Sequence, residues 1–239
     1  GFPPAQLERF QAMISRSYGI VLVTGPTGSG KTTTLYAALQ TLNAPERKII
    51  TIEDPVEYEL IGINQVEVNK KAGLTFAGGL RSILRQDPDI ILIGEIRDRE
   101  TADIAVQSAL TGHLVFSTLH TNDAVGAITR LIELGVEDYL LSSALIGIMA
   151  QRLVRILCSH CKEPFIPDTE LQEKLGLPFE VTSEKPIYRP VGCKYCNFSG
   201  YRGRVAIFEL MQVTEKIRRL MLKSKDTSAV KDAAIAEGM

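Results

Sequence analysis

The sequence has no tryptophan, few aromatic residues and no excess of either charge, and each shortage removes a class of function. Aromatics make up 6% of the chain and Trp is absent, so a channel that stacks successive bases has little to build from. Lys and Arg total 27 against 28 Asp and Glu. The global basic bias of a chain that lives on nucleic acid is therefore missing, although a local patch remains compatible with these numbers. No apolar run reaches the ~18 residues of a membrane-spanning helix, and no signal peptide is visible. Cysteine is scarce, with four in 239 residues, but all four fall in Cys-x-x-Cys pairs. What remains is ordinary: 45% apolar residues, in a length that suits one large α/β domain or one domain plus a small appendage. The chain starts Gly-Phe-Pro-Pro without Met and stops at Ala-Glu-Gly-Met239 in a helical pattern, which reads as a piece of a longer protein.

Hydrophobic spacing organises the first two thirds into alternating strands and helices. Leu7, Phe10 and Ile14 predict a helix over residues 5–17, followed by a buried-type strand at 19–24. Leu35, Leu39 and Leu42 mark a helix that ends before Pro45. Strands follow at 48–52, 65–68, 90–93 and 114–118, with helices at 80–85, 101–110, 124–134 and 139–153. Such alternation implies parallel strands joined by helical crossovers, hence a three-layer α/β domain over residues 1–157. The texture changes at 158–204, which holds all four cysteines, five prolines and few long apolar runs. A core of that quality needs a staple. Residues 205–239 return to a strand and a Lys- and Arg-dotted helical stretch.

The run Gly25-Pro26-Thr27-Gly28-Ser29-Gly30-Lys31-Thr32, followed by Thr33, fits G-x-x-x-x-G-K-[ST] between a predicted strand and a predicted helix. Glycines there let backbone N–H groups converge on phosphate oxygens at the positive end of the helix. Lys31 is placed to reach the β- and γ-phosphates of ATP, and the Thr32 hydroxyl to hold magnesium.

Two more strands end in carboxylates, at Glu53-Asp54 and at Gly94-Glu95. Ligands of a doubly wound sheet sit beyond the carboxyl ends of its strands, so Glu53, Asp54 and Glu95 are expected to face one nucleotide. There a carboxylate can polarise the attacking water or hold magnesium. Glu57 reads as structural. A third strand runs into Ser117-Thr118-Leu119-His120-Thr121-Asn122-Asp123, whose polar side chains suit contact with phosphate or water. His120 is the candidate there, with a structural histidine as the alternative, and Asn122 or Asp123 can cap the next helix.

Cys158-Ser-His160-Cys161 and Cys193-Lys-Tyr-Cys196 are separated by 31 residues. Two such knuckles supply four thiolates to one tetrahedral zinc. The gap exceeds the roughly 15–20 residues of a common zinc ribbon, so the segment between needs turns of its own. Structural disulfides are unfavoured in a cytosolic chain. His160 reads as a spacer.

Taken together, the segments GPTGSGKTTT (25–34), ITIEDPVEY (50–58), IILIGEIRD (90–98) and GHLVFSTLHTNDA (112–124), with the paired cysteines, resemble the secretion ATPase superfamily. Within it, the chain is similar to the ATPases of type II protein secretion and type IV pilus assembly. The resemblance implies a RecA-like P-loop motor that works as a homo-hexamer on the cytoplasmic face of the inner membrane. Such motors drive an integral-membrane platform protein that moves pilin-like subunits; the chain itself is expected to have no membrane span and no nucleic-acid partner. It also implies that Glu53 and Glu95 share water activation and magnesium binding, that His120 senses the γ-phosphate, and that Gly94 before Glu95 is the family's usual form. Pilus-retraction relatives lack the tetracysteine element, which points this chain toward secretion or pilus extension. A preceding domain normally supplies arginines to the nucleotide; Arg81, Arg85 and Arg97 are read instead as local ion-pair or interface residues. A nucleic-acid translocase on the same core and a zinc-stabilised, nucleotide-switched adaptor are the alternatives.

Overall fold

A computed structural model describes residues 2–176, 181–182, 184–223 and 227–239. Helix α1 (Pro4–Ile14) leads into β1 (Gly19–Thr24), α2 (Lys31–Leu42), β2 (Ile49–Glu53) and β3 (Asn64–Glu67). Then come α3 (Phe76–Leu84), β4 (Ile90–Ile93), α4 (Arg99–Leu110), β5 (Leu114–Leu119), α5 (Ala124–Glu133), α6 (Asp138–Ala144) and β6 (Leu145–Leu157). Beyond these lie β7 (Glu163–Phe165), α7 (Thr169–Leu175), β8 (Ile187–Arg189), β9 (Tyr201–Gln212), α8 (Glu215–Lys223) and α9 (Thr227–Ala236).

One seven-stranded sheet has the order β3-β2-β4-β5-β1-β6-β9, and every pairing from β3 through β6 is parallel. Strands β1, β2, β4 and β5 are buried along their whole length, which explains their unbroken Ile, Val and Leu content. Successive residues feed opposite faces. Ile20, Leu22, Ile91 and Ile93 join α3 to α6 and the last two helices in one core, whereas Val21, Val23, Ile90 and Leu92 pack with α1 and α2 in the other. Helices therefore cover both faces of a mostly parallel sheet.

One expectation fails here. The predicted helix over 139–153 stops at Ala144, and the chain continues from Leu145 as β6. Its apolar residues satisfy either period over so short a run. Tertiary pairing decides, because β1 needs a partner on the edge not taken by β5, and Ile20–Thr24 pairs with Leu145–Ala150. Gly147 allows close packing, since a Cβ there would collide with Met13 and come 2.8 Å from the Met211 carbonyl.

The chain forms two compact units: Gly1–Arg152 with Ala206–Met239, and Leu153–Val205. The second contains the antiparallel β7–β8 pair and all four cysteines. No helix among the described residues is long and apolar enough to cross a membrane.

Candidate nucleotide site and cysteine cluster

The phosphate loop occupies the turn between β1 and α2, as the glycine pattern predicts. Gly30 is the N-cap of α2 in a left-handed conformation, and Gly25 has a φ of 146° that L side chains rarely adopt. A Cβ on Gly25 would run into the Gln151 carbonyl, so glycine is required by space as well. Pro26, Thr27 and Gly28 are exposed, with nothing within 4 Å of a Cβ built on Gly28. Thr32 and Thr33 lie in the first turn of α2, Thr32 half-buried and Thr33 exposed. Lys31 is buried, and its Nζ donates to the carbonyls of Gly25 (2.8 Å) and Pro26 (3.1 Å). Burial lowers the Lys31 pKa, and the nearby Glu95 carboxylate partly offsets this. The Ser29 hydroxyl is buried with no hydrogen-bond partner, an oxygen positioned in the loop itself. Such an atom calls for a ligand or water.

Glu95, just past β4, pairs with Arg97 through Oε1, and the bond raises the arginine's pKa. Its Oε2 is buried without a hydrogen-bond partner, and His120 Nε2 lies 3.5 Å away. That separation is too long for a strong hydrogen bond. The donor set thus suits a magnesium ion and its water: a free carboxylate oxygen beside Lys31 and the phosphate loop. Gly94 has a packing reason. Its Cβ would stand 3.3 Å from both Glu53 Cα and the Ile52 carbonyl, so a side chain would press β4 off the end of β2. Asp98 caps α4 by accepting from Thr101 N (2.8 Å).

Glu53 is buried at the end of β2 and accepts from Thr51 Oγ1 (2.6 Å), Gln65 Nε2 (3.3 Å) and the Tyr36 hydroxyl. Asp54 pairs with Lys70 Nζ at 3.2 Å. Its charge also acts on Arg97, the ion-pair partner of Glu95.

The polar run after β5 also divides. Ser117 and Thr118 donate to the carbonyls of Ile93 and Gly94 at 2.9 and 2.7 Å, and Thr121 is bonded to Thr24 and the Asp123 carbonyl. These hydroxyls tie β5 to β4 and β1 rather than standing free. Asp123 caps α5 through Gly126 N at 2.7 Å, and Asn122 accepts from Arg152 at 3.3 Å. His120 alone of this run approaches an acid at the site, Glu95.

Two neighbours escaped the sequence reading. Gln151, buried on β6, donates from Nε2 to the Ser29 carbonyl (2.7 Å) and accepts from Thr34 Oγ1 (2.8 Å). It joins the phosphate loop to the second turn of α2. Reading 139–153 as a helix hid it; a lone Gln in a strand-type apolar run is the signal available. Tyr36, fully buried on α2, looks in sequence like one more core residue.

In the second unit the four Sγ atoms lie within 4.8 Å of one another, and the cysteines are unbridged. The separations Cys158–Cys193, Cys161–Cys196 and Cys193–Cys196 are 3.9, 3.8 and 3.8 Å. A tetrahedron of thiolates at the Zn–S distance has edges of about 3.8 Å, whereas a disulfide needs about 2.05 Å. The cluster fits a four-coordinate metal. Burial pushes the Cys196 thiol up, but N–H donors from Cys193 and Gly200, each 3.2 Å from its Sγ, bring it down to about 6. His160 stacks on Tyr195 at 4.2 Å between ring centroids, outside the sulfur set.

The family model described as Type II/IV secretion system protein matches residues 1–238. The type IV pilus assembly ATPase PilB of Thermus thermophilus is 53% identical over all of this chain, which spans 27% of that protein. The type II secretion system ATPase E of Vibrio cholerae is 57% identical over 90% of this chain and 42% of its own length. This chain thus spans less than half the length of either relative. Among solved structures, the pilus retraction motor PilT with bound ADP matches with a TM-score of 0.71 and 32% identity, over 99% of this chain and 57% of that one. The Legionella pneumophila ATPase DotB matches at 0.66 and 26% identity, over 99% and 55%. With a phosphate loop, two acid-tipped strands and a near-complete family match in one fold, the chain belongs to the type II/IV secretion system protein family.

Proposed function

We propose that this chain is the RecA-like, ATP-hydrolysing core of a hexameric motor for type II secretion or type IV pilus assembly. In this reading it works at the cytoplasmic face of the inner membrane against a platform protein. The observation that carries it is the convergence of Lys31, Glu95 and an unpartnered Glu95 Oε2 beside the phosphate loop. The family membership and the PilB and ATPase E relatives support it.

The loop from Gly25 to Thr33 cradles the phosphates through its N–H groups. On engaging nucleotide, Lys31 exchanges the Gly25 and Pro26 carbonyls for phosphate oxygens. Thr32 and Glu95 would hold magnesium, which would supply charge neutralisation on the phosphates. Glu53 has no cationic partner among the described ion pairs and serves as the base. It takes a proton from water as the water oxygen attacks the γ-phosphorus. The bond from that phosphorus to the bridging oxygen breaks, leaving ADP and phosphate. His120, beside Glu95, reports on the γ-phosphate. Cys158, Cys161, Cys193 and Cys196 would hold zinc as a structural staple for a unit with little apolar core.

Glu53→Gln and Glu95→Gln in the full-length protein are each expected to cut turnover by roughly 100-fold or more while nucleotide binding survives. Normal turnover in both would refute the assignment.

A further inference from the structure

Tyr36 lies five residues after Lys31 on the helix that begins at the phosphate loop, fully buried. Its hydroxyl accepts from Gln65 Nε2 (3.3 Å) and from the Glu57 backbone N–H (3.4 Å), so its own proton goes to Glu53 Oε2. Burial and then the Glu53 carboxylate raise the Tyr36 pKa, and the hydroxyl stays a donor. Gln65, on β3, has its amide orientation fixed because Oε1 accepts from Leu60 N at 2.7 Å, which leaves the two Nε2 hydrogens shared among Glu53, the Tyr36 hydroxyl and the Tyr58 carbonyl, the last at 3.2 Å. Thr51 adds a third donor. An ionised carboxylate offers about four acceptor sites, and three neutral donors occupy all but about one of them.

Packing alone does not require this arrangement. A phenyl ring would fill the Tyr36 site and keep the edge-on contact with Tyr58, whose centroid is 4.7 Å away. Burying a carboxylate without a cation is unfavourable for the fold, so a hydroxyl and an amide aimed at it indicate chemistry rather than core filling. Resting on the proposed hydrolysis, we infer that Tyr36 and Gln65 are positioning residues that hold the Glu53 carboxylate with one oxygen site left for the attacking water. Helix α2 sets the spacing. The element that presents Lys31 to phosphate also carries the hydroxyl that orients the base.

The test is Tyr36→Phe and, as a second shape-preserving variant, Gln65→Met, in the full-length protein. Steady-state ATP hydrolysis, equilibrium binding of a non-hydrolysable ATP analogue and thermal unfolding are measured for each. The kcat of Tyr36→Phe is expected to fall up to about 100-fold, the scale set by a small displacement of a reacting group. KM and analogue affinity should stay within about twofold. On a Glu53→Gln background, Tyr36→Phe should produce no further loss, because both changes act through one carboxylate. A kcat within about twofold of wild type in both variants, or a loss that multiplies with that of Glu53→Gln, would overturn the inference. Wild-type protein that hydrolyses no ATP would instead remove the functional reading, and this inference with it.

Discussion

Gln151→Met is the sharpest probe of how the phosphate loop is held. Gln151 is 3% exposed, and its two ends bond the Ser29 carbonyl at 2.7 Å and the Thr34 hydroxyl at 2.8 Å. Methionine keeps the length and volume of the side chain and removes both bonds. Two neutral hydrogen bonds at about 1 kcal/mol each give a loss of about 2 kcal/mol, rising toward about 4 if the buried Ser29 carbonyl finds no other donor. For a domain of this size, 2 kcal/mol lowers the unfolding midpoint by roughly 4–8 °C. Much of the loss should fall on the loop, since Gln151 is what ties Ser29 to the sheet. If about 1.4 kcal/mol of it is ordering that nucleotide must restore, affinity weakens roughly tenfold. Thermal unfolding and equilibrium titration with a fluorescent, non-hydrolysable ATP analogue read these two quantities separately. A variant within about 0.5 kcal/mol of wild type in stability, and unchanged in affinity, would refute the reasoning.

Gly94→Ala should lower turnover by roughly tenfold while sparing nucleotide affinity, because the new methyl presses on the Glu53 backbone and shifts the proposed base; a normal kcat would show that β4 can yield there. Metal analysis should find about one zinc per chain, and either chelation or Cys193→Ser should make the 153–205 unit protease-sensitive while ATP-analogue binding persists. A metal-free preparation whose 153–205 unit resists protease as well as the metal-loaded one would refute the structural-zinc assignment.

Local pattern made much of the molecule legible. The phosphate loop needs only a glycine-rich turn between an apolar run and a helix, and all of that lies within residues 19–35. The paired cysteines announce a four-sulfur cluster by spacing, and their sulfurs do gather within 4.8 Å. The acid-tipped strands end on the same side of the sheet as the phosphate loop, because parallel topology puts every strand's carboxyl end on one side.

Residues 145–157 show where that legibility stops. Their period fits helix and strand alike, and only the open edge of β1 selects the strand. Gln151 reaches a loop partner 122 positions away, a contact that no local window contains. Tyr36 and Gln65 likewise meet at Glu53 only after β3 is laid beside β2. The hydroxyls of Ser117 and Thr118, free donors by sequence, bond the β4 backbone once β5 is docked. The sequence by itself determined which residues can do phosphate, acid and thiolate chemistry, because those capacities belong to side chains and short spacings. Tertiary structure decided which of them are free to do it, because strand order sets which polar groups meet and satisfy one another.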